Sequence, residues 1–488
     1  MGHKIAIIGS GFSSLAAASY LSQAGHQVSV FEKNPTVGGR ARRLEKDGFT
    51  FDIGPSWYWM PDIFERFFAD FGKKPSDYYQ LDKLDPAYSV YFEKDRIKIG
   101  ADLESIKETF EQYEKGSSKH LQEFIDEASE NYDIAIKNLV YRPGESPLEL
   151  VTKQTVTKLG AFVSNVSRDV RKKFKDPRLI SILEFPVLFL GATPSNTPSF
   201  YNFMNYADFG LGTWHPKGGM YEVILAMKKL AMEQGATIRT DAAVTKILVD
   251  KKGTANGIMI DDEKHLFDIV LSGADYHHSE TLLEEKHRQY SEKYWDKKTF
   301  APSSLIFYVG FDKKLKNVDH HNLFFDTDFT KHANEIYEDP KWPEDPLFYA
   351  NFTSITDPQT APDGCENGFF LIPLAPDLED TPELREEYFQ KIITRFEDLT
   401  GQKVKDNILF KESFCVNDFK EAYNSYKGNA YGMANTLLQT AFLRPNLRSR
   451  KVKNLYFTGQ LTVPGPGVPP SLISGKLAAQ LINKHSSQ

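Results

Sequence analysis

The chain opens on an apolar run, Ile5-Ala6-Ile7-Ile8, which breaks at Gly9-Ser10-Gly11 and resumes as a small-residue stretch from Phe12 to Ala24. That order predicts a buried strand, a tight glycine turn and a helix. His26 to Phe31 predicts a second strand, ending at Glu32. Ile63, Phe64, Phe67 and Phe68 then recur at helical spacing, so a helix with one buried face is expected there. Residues from about 100 to 210 read mostly as helices. From Met220 a helix leads to Ala236-Thr237-Ile238 and to a meander, Val244 to Val249, Gly257 to Ile260 and His265 to Leu271, closed by Ser272-Gly273-Ala274-Asp275. Leu305 to Phe311, Leu347 to Phe352 and Gly368 to Pro373 predict a second sheet. Lys453 to Gln460 reads as a strand entering a loop, and the last helix is expected over Leu472 to Ile482. No segment repeats.

Composition narrows the function classes. A chain of 488 residues exceeds what one hydrophobic core supports, so more than one core is expected. A formal charge of −7 argues against nucleic acid, whose binding needs a basic surface. Two cysteines, Cys365 and Cys415, exclude a disulfide framework and point to a reducing compartment. Ile5 to Ile8 is too short for a signal peptide, and no apolar run reaches the ~20 residues that span a bilayer. A cytoplasmic, soluble or peripheral protein is expected. One contrast points to a membrane surface: Arg168, Arg171, Lys172, Lys173, Lys175 and Arg178 precede the apolar segment Leu179 to Leu190. His277-His278 and His320-His321 read as surface pairs, because neighbours in a strand or loop point to opposite sides and nothing completes a metal shell. No nucleophile-histidine-acid set can be assembled.

The candidate chemistry lies at the two chain ends. Gly9 permits the tight turn, Gly11 leaves room for a pyrophosphate, and the helix start beyond them offers free N–H groups and a positive dipole end. Ser13 and Ser14 belong to the same set; Ser14 stands where a third glycine is usual, small enough for helix and strand to pack and able to bond a phosphate. Glu32, about 20 residues beyond the turn, suits a carboxylate that accepts ribose hydroxyls and disfavours a 2′-phosphate. Lys33 follows it. Gly38-Gly39 lets backbone lie against a flat ligand, Arg40 supplies a forked donor, and Pro55-Ser56 closes the segment. At the far end, Gly459 to Gly467 and Val468-Pro469-Pro470-Ser471 lead into the last helix.

These residues resemble the glutathione-reductase-like FAD superfamily in its amine-oxidase and carotenoid-desaturase branch. The segment from Asn454-Leu455-Tyr456 to Pro470 is similar to the signature of bacterial phytoene desaturases. Asn424 to Gly432, Gln439 to Pro445, Gly191 to Pro194 and Pro216 to Met220 are similar to the same family, and the resemblance covers nearly the whole chain. Pro470 departs from it, since relatives often carry glycine there. The resemblance implies an α/β fold with a discontinuous Rossmann-like FAD domain over 1–80, 216–285 and 414–488. It further implies a substrate-binding sheet domain over 81–120 and 286–413 and a helical, membrane-associated subdomain over 121–215. Backbone at Val244 would meet adenine, and the last helix would aim at the electron-rich edge of the flavin. The implied activity is FAD-dependent desaturation of a long apolar carotenoid, either phytoene-like or 1-hydroxylated and desaturated at the 3,4 position, with oxygen or a quinone as electron acceptor. Oligomeric state stays open. So does the base: Glu184, Asp208 and His215 lie in suitable segments, and none is singled out. A flavin amine oxidase and a prenyl-lipid carrier of the GDP-dissociation-inhibitor type are the alternatives.

Overall fold

The computed structural model describes residues 2–146, 149 and 164–486. The first strand, Lys4–Ile8, is the centre of a five-stranded parallel sheet ordered Leu455–Phe457, Ile269–Ser272, Lys4–Ile8, Gln27–Phe31, Thr237–Arg239. Ile5 lies opposite both Val28 and Ile269. Parallel strands are covered on both faces, which is why the run is apolar throughout rather than alternating. Ile5 and Ile7 pack with the first helix, Phe12–Gln23. Ala6 and Ile8 face the other way, onto the antiparallel meander Val244–Val249, Ala255–Ile260, Glu263–Leu266. Helix Tyr221–Glu233 and the last helix, Val468–Ser486, pack beside the first.

One predicted strand divides. His265 and Leu266 end the meander, whereas Ile269–Ser272 belongs to the parallel sheet. Asp268 makes the switch by accepting the Lys4 amide on its carboxylate at 2.8 Å and donating its own amide to the Lys4 carbonyl. An apolar run carries no mark of such a break. The last helix also starts four residues earlier than predicted, with Pro469 and Pro470 in its first turn, where proline is tolerated. Helix Pro61–Ala69 buries Ile63, Phe64, Phe67 and Phe68 as expected.

The second sheet has seven strands, ordered Ile408–Phe414, Ser303–Phe311, Glu366–Leu374, Phe348–Asn351, His321–Phe324, Tyr88–Tyr91, Arg96–Ile99. The three strands predicted here are adjacent at its centre. Its residues alternate: Leu305, Phe307, Phe370 and Ile372 pack beneath helix Pro382–Thr400, while Ser304, Ile306, Leu371 and Pro373 face a cavity.

Two surface expectations fail. His320 and His321 are buried, 2% and 0% exposed, because His321 opens an inner strand and His320 immediately precedes it. His277 and His278 sit in the first turn of helix Tyr276–Thr281, their amides capped by Asp275. Among the described residues no group of His, Cys, Asp and Glu could hold a metal ion. The apolar segment after the basic cluster is likewise no exposed hairpin, since Leu179, Ile182, Leu183, Phe185 and Val187 are core residues. Arg171 pairs with Glu184, Lys172 with Asp169, Lys173 with Glu123, and Arg178 with Asp176 and Asp95. Part of the proposed helical subdomain, 147–148 and 150–163, lies outside the described residues. No described helix is long and apolar enough to cross a membrane.

Candidate functional site

A cavity of about 960 Å³ opens at the C-terminal ends of the parallel strands, where doubly wound sheets place their ligands. Gly9, Glu32, Gly273 and Gly459, each just past a strand, line it. It continues along the inner face of the second sheet to Ser304, Leu323 and Tyr349. Gly11 and Val468, more than 450 residues apart in the chain, share this one space.

The expected cofactor residues are placed as follows. Gly9 has φ +87°, the left-handed turn that glycine permits, and a Cβ on Gly11 would meet nothing within 4 Å. The cradle beside Gly11 is therefore open to a ligand. A Cβ on Gly39 would stand 3.4 Å from the Gly11 Cα, so the two glycine segments lie backbone to backbone. Glu32, 4% exposed, accepts the Ser10 amide (3.0 Å) and hydroxyl (2.7 Å) on Oε2 and the Asn34 amide and Nδ2 (both 3.0 Å) on Oε1. Lys33 donates to the Glu421 carbonyl at 2.6 Å, and burial lowers its pKa. Arg40 donates to Ser425 Oγ at 2.9 Å; its Nε is buried without a partner, and burial lowers its pKa against the opposing pull of Asp275. An orphaned guanidinium N–H on the wall, beside an open glycine cradle, fits a phosphate-bearing dinucleotide. Ser13, Pro55, Ser56, Val244 and Gly459 are also on the wall.

Two expectations are corrected. Ser14 is fully buried and not on the wall; a Cβ on Gly273 would fall 2.0 Å from its hydroxyl, so it fills the seam between helix and sheet instead of reaching a phosphate. The last helix does start at the cavity, but Pro469 and Pro470 have no N–H, which leaves Val468 as the donor of that turn.

Sequence reasoning gave Arg444 no role. It is 3% exposed and spends its fork on oxygens around the final loop: Nε to Thr462 O (3.0 Å), Nη1 to Asn435 Oδ1 (2.6 Å) and Gln439 O (2.9 Å), Nη2 to Met433 O and Gln460 O (both 2.9 Å). Burial pushes its pKa down to about 10. Ser304 and Tyr337 line the wall, and their buried hydroxyls have no hydrogen-bond partner among the described residues. The three base candidates lie off the wall. Glu184 is held by Arg171 (3.1 Å), Asp208 accepts the Tyr88 hydroxyl (2.8 Å), and His215 meets Asp357 (3.3 Å). Burial raises Asp208 to about 7.

The chain is 42% identical over 486 residues to a carotenoid 3,4-desaturase from Haloarcula japonica, covering 99% of this chain and 98% of that one. A 4,4′-diapophytoene desaturase (4,4′-diaponeurosporene-forming) from Staphylococcus haemolyticus is 31% identical, with 98% of each chain covered. The solved structure of putrescine oxidase bound to putrescine superposes with a TM-score of 0.62 at 15% identity, over 99% of each chain, a likeness of fold alone. The family of flavin-containing amine oxidoreductases matches residues 12–483, and with a cavity that begins at its dinucleotide turn and ends at its last helix, the chain belongs to that family.

Proposed function

We propose that this protein is an FAD-dependent carotenoid desaturase. The observation that carries the reading is the continuity of the cavity: the glycine turn and Arg40 at one end, Trp57, Trp59, Phe185, Phe203, Phe325 and Phe329 farther along. A long apolar polyene would lie against those aromatic walls and be held by contact area. The wall acids among the described residues are Glu32, Asp275 and Glu149, and all three already accept backbone amides.

On this reading Gly9, Gly11 and Ser13 hold the pyrophosphate, Glu32 the ribose, and Arg40 a phosphate, while Pro55, Ser56, Gly459 and Val468 flank the ring and Val244 the adenine. FAD, when bound, supplies the acceptor for hydride. The protein's share is to align the polyene, keep water out and receive the proton. Oxygen or a quinone would reoxidise the flavin. The FAD domain would comprise 1–80, 216–285 and 414–488, the substrate-binding domain 81–120 and 286–413, and the helical subdomain 121–215. Peripheral membrane contact would fall at a different segment from the basic cluster, a reading supported by Leu438, 79% exposed, and Leu443, 39% exposed, which flank wall residues Thr440 to Phe442. The orphaned hydroxyls of Ser304 and Tyr337 favour a carotenoid with an oxygen at one end, as in the 1-hydroxylated substrates.

The test is anaerobic mixing of FAD-reconstituted protein with carotenoids in liposomes. Bleaching of the flavin band with formation of a longer polyene supports the reading. Flavin that stays oxidised with every carotenoid, and bleaches with a diamine, overturns it.

A further inference from the structure

Desaturation takes two hydrogens from adjacent carbons. One C–H bond breaks with its electron pair going to the flavin; the electrons of the second C–H bond become the new C=C bond, and its hydrogen leaves as a proton. That proton is released inside an aromatic cavity and needs an acceptor.

We propose that Ser56, Tyr349 and His321 take up that proton, passing it from the cavity wall to His321 Nδ1. This rests on the desaturase reading. Ser56 and Tyr349 both line the cavity, their oxygens 2.9 Å apart. Tyr349 OH is 2.6 Å from His321 Nδ1, and the Asn351 side-chain amide converges on the same nitrogen at 3.1 Å. An amide N–H can only donate, so Nδ1 is an acceptor and the ring proton sits on Nε2. The order of donation is then fixed: Ser56 to Tyr349, Tyr349 to His321.

As the substrate proton moves onto Ser56 Oγ, the Ser56 hydroxyl proton passes to Tyr349 and the Tyr349 proton to His321 Nδ1. The imidazolium so formed carries an Nε2–H that is buried without a partner. Its ring stands 4.4 Å from that of His320, whose Nδ1 is 2.5 Å from the hydroxyl of Thr356, an exposed residue. Trp57 stacks on His321 at 4.1 Å and holds the ring in register. On the far side His215, 4.7 Å from His320 ring to ring, is hydrogen-bonded to Asp357. Burial and His215 hold His321 well below the usual imidazole range.

Y349F and H321Q cut the relay, and S56A removes its entrance. The full chain, reconstituted with FAD, is mixed anaerobically with a carotenoid that the native protein bleaches. FAD affinity is measured by fluorescence, and carotenoid affinity by tryptophan quenching in the flavin-free protein. In Y349F and H321Q both affinities are expected within about twofold of native, with bleaching slowed roughly 100-fold, the lower range for a lost proton acceptor. Native bleaching should slow in D₂O, and Y349F bleaching should be indifferent to it. Bleaching within about threefold of native in both Y349F and H321Q overturns the relay. If either fails to retain FAD, the other decides by the same criterion, and loss of FAD from both, which would mark these groups as part of the cofactor site, overturns the relay. A native protein that bleaches with no carotenoid sinks the desaturase reading and the relay together; a native protein that bleaches with unaffected variants sinks the relay alone.

Discussion

Gly475 of the last helix lies against the Ser13 carbonyl of the first helix so closely that a Cβ on Gly475 would stand 2.2 Å from that oxygen. Ala16 Cβ and the Ala17 amide would be at 2.8 and 3.0 Å. The small residues of the first helix and this glycine are one device: they let both chain ends reach the same cavity.

Alanine at 475 is therefore expected to destabilise. It gains up to ~1 kcal/mol of helix propensity and pushes two backbones apart at a cost of about 1–3 kcal/mol. Because the displaced helix carries Val468 to the cavity, FAD retention should fall with it. Thermal melts with and without FAD check this, and an unchanged G475A would show that the two helices are not in tight contact.

The cofactor end was legible in the sequence because its constraints are local. Gly9 must take a positive φ, Gly11 must leave space, and Glu32 must end the second strand; each is written in a few neighbouring residues. The relay was not legible, since Ser56, His321 and Tyr349 meet only when His321–Phe324 pairs in parallel with Tyr88–Tyr91 and antiparallel with Phe348–Asn351. Two adjacent histidines look like surface until that pairing buries them. The basic cluster misled for a similar reason: its partners Asp95 and Glu123 are remote in sequence.

Asp208 gives a pH dependence with a definite sign. Burial raises its folded pKa from 3.8 to about 7. Between those values the folded state binds a proton that the unfolded state lacks, so this group's contribution to stability declines from pH 4 to 7 and is flat above. In D208N that decline is absent. The variant should gain on the native protein by roughly 2–4 kcal/mol between pH 4 and pH 8. Melts at both pH values, compared as differences, test it; a gap independent of pH would place the Asp208 pKa near that of an ordinary carboxylate.

Arg444 braces the final loop from behind, bonding Gln460 and Thr462 between Gly459 and Gly467. Lysine keeps the charge and loses the fork. R444K is expected to lose about 3 kcal/mol of stability, since donors to five oxygens cannot be supplied by one ammonium. FAD should dissociate at least tenfold faster, read by fluorescence recovery on dilution. An R444K protein that keeps native FAD retention would show that the loop holds its shape without the fork.

Ser304 and Tyr337 line the cavity, and their buried hydroxyls have no hydrogen-bond partner among the described residues. Leaving a buried hydroxyl unpaired costs about 1–3 kcal/mol, so a ligand oxygen that pairs with it recovers that amount, and a hydrocarbon end recovers none. S304A and Y337F should then raise KM for a carotenoid with a terminal hydroxyl by roughly 5- to 10-fold each, from a lost bond of about 1 kcal/mol. The same variants should leave a pure hydrocarbon carotenoid unaffected or bind it more tightly, because the unpaired group is gone from its wall. The two KM ratios, measured side by side in liposomes, distinguish this from a packing defect, which would weaken both substrates alike. Equal losses for both would remove the grounds for an oxygenated end at this site and leave the phytoene-like substrate as the better reading.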